Sequence, residues 1–131
     1  MDIRYMARIK DELIEVYVEI QDQFHVGYPF IKRGIVYSGC LIVNQLGTVI
    51  QNSRYENTHK VLGIWIFLDP PKKLKNSIRN YMFDSKGYIP DKSKDYDLIQ
   101  ISHFYLGNNE NDGLLDVDES KGLRFLLSFE V

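Results

Sequence analysis

Cysteine is close to absent from this sequence: Cys40 is the only one. That excludes an intrachain disulfide and a cysteine zinc site. No stretch of 18 apolar residues occurs, and residues 1–10 lack a signal peptide's apolar core, so no membrane partner is expected. Charge of one sign is not in excess. Sixteen Lys and Arg stand against eighteen Asp and Glu, for a formal net charge of -2. This excludes a nucleic-acid binder driven by bulk positive charge, but leaves room for a local basic patch. There is no Gly-rich phosphate loop, no Ser-His-Asp order and no dinucleotide fingerprint. Repeats and low-complexity segments are missing too. The expectation is a soluble, cytoplasmic protein.

What is present fits one domain over residues 1–131. Hydrophobic residues make up 44% and charged residues 26%, a globular rather than a disordered balance. A chain of this length can bury roughly two-thirds of its unfolded surface, enough for one sizeable core. Residues 3–9 alternate, with Ile3, Tyr5, Ala7 and Ile9 on one face and Arg4, Met6 and Arg8 on the other. Lys10, Asp11 and Glu12 form a polar break that reads as a hairpin turn. Residues 13–21 alternate again: Ile14, Val16, Val18 and Ile20 share one face, and Glu15, Tyr17, Glu19 and Gln21 share the other.

Pro29 suits the first turn of a helix, and Ile31, Ile35, Ile42, Leu46 and Val49 recur near helical spacing through residues 30–50. Gly34, Gly39 and Gly47 weaken that helix, or let it pack close to a sheet. Residues 61–68 are nearly all apolar, as in a central strand buried on both faces, and Asp69, Pro70 and Pro71 end it. A basic run follows at residues 72–79, then a short strand at 81–83 and a longer one at 97–106. The tail at 123–129 leans helical. This order predicts a mixed α/β or α+β layer structure, a central mixed sheet with a flanking helix.

The hairpin carries the first chemical signal. Asp2 opens one strand and Glu19 closes the other, so a turn near residue 11 brings the two carboxylates to one end of the sheet. Two converging carboxylates make a hard-oxygen site for Mg²⁺ (or Mn²⁺). Gln21 projects to the same face as Glu19 and could orient a water or a phosphate. Those are the parts that metal-assisted phosphodiester hydrolysis requires. On pattern alone the commoner reading of E-x-Q is a solvated strand face.

The stretches VYVEIQDQFHVGYPFIKRGIVYSG, KVLGIWIFLDPPKKLKNSI and KDYDLIQISHFYLG carry a resemblance. In this order, from Asp2 to about Gly107, the chain resembles the PD-(D/E)XK nuclease family transposases, the recombination-promoting nucleases. The resemblance implies a restriction-endonuclease-like core and a metal-dependent DNA endonuclease. It implies that Asp2 and Glu19 hold the metal and that Gln21 stands where many relatives carry lysine. It also implies that Arg33 and Tyr37, four apart on the helix, face the site and DNA. The family has a segment before the metal aspartate, including the core's first helix, and continues past the last strand. The chain therefore reads as truncated at both ends, as a remnant of a mobile element or a cut piece. Without that helix, Ile14, Val16, Val18 and Ile20 lack a cover, so a homodimer is expected.

Other signals have plainer counterparts. Lys72, Lys73, Lys75 and Arg79 form the one dense positive cluster, either a phosphate-binding patch for DNA or a solvated loop. Residues 108–119 nearly fit a calcium loop, with Asp112, Gly113, Leu115 and Glu119 in place. Position 1 is Asn and a strand precedes it, so a plain acidic loop is the better reading. His25, His59 and His103 have no ligand spacing, although His25 follows the E-x-Q strand and could approach the site. Cys40 reads as a buried thiol and Trp65 as core. Two functions compete: an active or degenerate DNA endonuclease, and a catalytically inactive DNA-binding or assembly module on the same fold.

Overall fold

The computed structural model describes residues 3–107. Asp2, the acidic segment at 108–119 and the tail at 123–129 lie outside the described residues. Within them are five strands and one α-helix: β1 (Ile3–Ile9), β2 (Glu12–Gln21), α1 (Phe30–Val43), β3 (Lys60–Phe67), β4 (Ser77–Met82) and β5 (Ile99–Tyr105). The strands form one sheet in the order β1-β2-β3-β5-β4. Strands β2, β3 and β5 run parallel, and β1 and β4 pair antiparallel at the two edges. The expected mixed sheet with a flanking helix is present. Among the described residues no helix is long and apolar enough to cross a membrane.

The hairpin forms as its alternation predicts, with Ile3 opposite Val18 and Ile9 opposite Glu12. Its turn places Lys10 at φ 49° and Asp11 at φ 65°. Two left-handed residues give a two-residue turn the twist that matches its flanking strands.

The sheet buries both faces. Tyr17, Val61, Trp65, Phe67, Ile101 and Tyr105 pack with Phe30 and Leu41 of α1. Ala7, Ile14, Val16, Val18, Leu62, Ile64 and Phe104 form a second cluster on the opposite face. The uncovered patch expected there is smaller than the sequence implies. Ile14, Val16 and Val18 are buried within the single chain, and of those four only Ile20 is exposed, at 44%.

The helix differs from its expectation in length and in phase. It ends at Val43, not near residue 50. Ile35 is 56% exposed, and the buried line is Phe30, Gly34, Ser38 and Leu41. The bulk at this interface comes from the sheet. A Cβ on Gly34 would stand 3.3 Å from both the Trp65 indole nitrogen and the Ile101 side chain. Small residues therefore face the sheet at the centre of the contact, while Ile31 and Ile42 of the expected stripe are partly buried against the same cluster. The chain leaves the helix through Gly47, at φ 83°. There the buried Gln45 side chain holds both backbone groups of His59: its Nε2 donates to the carbonyl at 3.0 Å, and its Oε1 accepts from the amide at 2.7 Å.

Three further expectations are corrected. The basic run is not one loop. Lys72–Leu74 is a single 3₁₀ turn, and β4 begins at Ser77, which takes Arg79 into the sheet. The strand expected at 81–83 is the end of β4. Cys40 is exposed rather than buried, because it lies on the outer side of α1.

Candidate functional site

Alternation along β2 turns Glu15, Tyr17, Glu19 and Gln21 toward the face that α1 covers. Glu19 is two residues from the carboxyl end of β2 and only 3% exposed. Register extends its row across the sheet: Glu19 pairs with Trp65, Trp65 with His103, and His103 with Arg79. Paired residues share a face, so a carboxylate, an indole, an imidazole and a guanidinium form one row on the face that α1 packs against, with Arg79 exposed at its β4 end.

Tyr17 anchors the helix over this row. Its hydroxyl donates to the Gly34 carbonyl at 3.1 Å. It is 3.0 Å from Ser38 Oγ and accepts from Trp65 Nε1 at 3.3 Å. Gly63 makes this possible: it pairs with Tyr17, and a Cβ there would stand 2.4 Å from the end of the Tyr17 ring. Burial pushes the Tyr17 phenol pKa up, against the hydrogen bonds from Ser38 and Trp65, and the nearby Glu19 charge adds to the rise.

Arg33 and Tyr37 do form a pair. Arg33 Nε donates to the Tyr37 hydroxyl at 3.1 Å. The guanidinium carbon lies 5.4 Å from the Tyr37 ring centre and 5.5 Å from that of Trp65, within cation–π reach. Since Trp65 is Glu19's neighbour in the sheet, this couples Arg33 to the row. A contact from Arg33 Nη1 to the Tyr28 hydroxyl at 3.4 Å ties it to the loop before α1. The Tyr28 and Tyr37 hydroxyls hold the guanidinium pKa above its ordinary value, against partial burial.

The basic cluster reaches the same sheet edge. β3 ends at Phe67, and the chain passes Asp69, Pro70 and Pro71 before the turn that carries Lys72 and Lys73. The Asn76 amide donates to the Tyr105 carbonyl at the end of β5, at 2.8 Å. Glu19, Gln21 and Lys72 to Lys75 therefore stand at the carboxyl ends of the three parallel strands, where open sheets of this kind place their ligands. Asp2 lies outside the described residues. Among those described, no three His, Cys, Asp or Glu side chains gather as a metal-binding group. Mg²⁺ is usually held by one or two carboxylates, with waters and phosphate completing the shell. Glu19 fits as one such ligand.

Residues beyond those expected also contribute. Arg4 Nε and Nη2 both donate to Glu15 Oε1, at 2.9 and 2.6 Å, which fixes β1 to β2 below Glu19. His103 is 3% exposed. Its Nδ1 shares a hydrogen bond with the Tyr105 hydroxyl at 3.0 Å. Its Nε2 is buried, with no hydrogen-bond partner among the described residues. Burial, with a smaller push from Arg79, takes its pKa down to about 4, so the imidazole is neutral at pH 7. A polar residue between Ile101 and Tyr105 on an apolar strand was the signal in the sequence. His103 lines a cleft of about 620 Å³ between the loop joining β2 to α1 and the ends of β3 and β5. His25, on that loop, also lines it.

Compared with known proteins, the chain matches no protein-family model, no curated protein and no solved structure.

Proposed function

We propose that this chain is a metal-dependent DNA endonuclease of the transposase or recombination-promoting type, built on a restriction-endonuclease-like core. The observation that carries the reading is the nearly buried Glu19, at the carboxyl edge of three parallel strands that also receives Gln21 and Lys72 to Lys75. Asp2 and Glu19 would hold Mg²⁺ or Mn²⁺, which polarises a phosphate and lowers the pKa of a bound water. Gln21 orients the attacking water or the phosphate. Lys72, Lys73, Lys75 and Arg79 neutralise neighbouring phosphates, an interaction that is electrostatic and blind to sequence. Arg33 and Tyr37 hold the strand from the helix side.

The competing reading is an inactive DNA-binding or assembly module that keeps this fold. Supercoiled plasmid, incubated with Mg²⁺ or Mn²⁺ and in parallel with EDTA, separates the two. Metal-dependent nicking supports the endonuclease. Salt-sensitive DNA binding with no nicking under any metal supports the inactive module.

A further inference from the structure

The cleft beside the Glu19 row has walls of an unusual kind. The Phe67 and Tyr105 rings lie 5.2 Å apart at 24°. Phe24, from the loop above, meets Phe67 at 5.6 Å and Tyr105 at 6.2 Å. Phe30 and Tyr81 also line it, with His25 and Tyr28 of the loop, and no Asp, Glu, Lys or Arg takes part. Its volume of about 620 Å³ lies within the range of small-molecule sites. Its polar groups come from His25, Tyr28, Tyr81 and Tyr105, and from His103 with one nitrogen lacking a hydrogen-bond partner among the described residues. A buried ring nitrogen without a partner is costly, and a ligand that satisfies it recovers that cost. A ligand of fixed charge would find no Asp, Glu, Lys or Arg in the lining. A flat heterocycle with in-plane N–H and carbonyl groups meets both the ring walls and the imidazole.

We propose that this cleft receives one unstacked nucleobase of a DNA strand, an inference that rests on the endonuclease reading of the Glu19 edge. Position supports the class of ligand. His103 stands two strands from Glu19 along one register row, roughly 10 Å at ordinary strand spacing. A DNA strand covers that span in about three nucleotides at stacked spacing. A phosphate at Glu19 and a base in the cleft are therefore compatible with one bound strand. Stacking on aromatic side chains tolerates any base, so the cleft contributes affinity and position rather than strong sequence choice. Taking a base out of the stack is easiest where the duplex is open or mismatched. Single-stranded or distorted DNA is thus the favoured substrate.

The test uses two short single-stranded DNA oligonucleotides in EDTA, one with a central 2-aminopurine and one abasic at that position. Expected are quenched 2-aminopurine emission on binding and an affinity about fivefold to a hundredfold above that of the abasic strand. Phe24→Ala and His103→Gln should each reduce the quench and narrow that gap. Equal affinity for the two strands, measured on the unaltered protein, overturns the proposal whether or not the variants fold. If that equality accompanies metal-dependent plasmid nicking, the cleft proposal fails and the endonuclease reading stands. Absence of binding to either strand, together with absence of nicking, removes both.

Discussion

Replacing Tyr17 by phenylalanine removes one oxygen from the centre of the helix–sheet contact. That hydroxyl donates to the Gly34 carbonyl and accepts from Trp65 Nε1, and it lies 3.0 Å from Ser38 Oγ. Tyr17, Ser38 and Trp65 are all fully buried, so water cannot take its place. The Trp65 N–H then loses its acceptor. Leaving a buried donor unsatisfied costs about 1–3 kcal/mol. We therefore expect Tyr17→Phe to destabilise the fold by roughly 2–3 kcal/mol, a large share of the ~5–15 kcal/mol typical of a domain. Ser38→Ala alone should cost about 1 kcal/mol, because the other two Tyr17 bonds remain. The double variant should cost less than the sum by about 0.5–1 kcal/mol, since the two residues share a contact. Urea unfolding followed by tryptophan fluorescence reads this directly, because Trp65 is the only tryptophan and sits in the network. With an m-value near 2 kcal/mol/M, the midpoint should fall by about 1 M. A Tyr17→Phe change below about 0.5 kcal/mol at unaltered m, or full additivity with Ser38→Ala, would refute the network as the anchor of α1.

Three further outcomes are expected. His103 has its pKa lowered from 6.5 to about 4 in the fold, so the unfolded chain binds more protons between those values. Its contribution to stability is fully present above pH 6.5 and is lost as pH falls toward 4. The loss is on the order of 3 kcal/mol, and His103→Gln should remove that part of the pH dependence in urea titrations; an unchanged slope would show that the imidazole titrates normally. Lys72→Glu with Lys73→Glu should weaken DNA binding across unrelated sequences and flatten its salt dependence by about two phosphate contacts, whereas an unchanged slope moves the DNA surface elsewhere. Ile3 and Ile20, on the face away from α1, are 50% and 44% exposed and lie by the β1 edge, which motivates a homodimer. Light scattering should then give twice the chain mass, and a mass near 15.4 kDa that persists as concentration rises would exclude it.

The strands were legible because their periods are short and their partners are apolar. Residues 3–9 and 13–21 carry a strict alternation, and a register shift of one would turn Val16 and Val18 to the wrong face. β3 is recognisable as a run with no polar face. The helix was legible in existence and only partly in orientation: Ile31 and Ile42 pack against the sheet cluster, and Ile35 does not. Its sheet-facing residues include Gly34 and Ser38 because Trp65 and Tyr17 supply the volume, and an apolar stripe cannot reveal a small-residue contact. The start of β4 was hidden by composition. Lys72 and Lys73 look like a continuous polar run with Arg79, and edge strands tolerate charge. Within the candidate site, Glu19 and Gln21 were singled out by strand spacing, and Arg33 with Tyr37 by the family resemblance. His103 was missed because its meaning depends on neighbours on other strands: Phe67, Tyr81 and Arg79 meet it only after the sheet forms.

The endonuclease reading stands or falls with Glu19. Plasmid nicking by Glu19→Ala, set beside the unaltered protein in Mg²⁺ and Mn²⁺ and purified free of contaminating nucleases, tests it most directly. Removal of a metal-holding carboxylate should abolish metal-dependent nicking, while Gln21→Ala, which removes no charge, should only slow it. Full nicking activity in a folded Glu19→Ala protein would contradict the assignment.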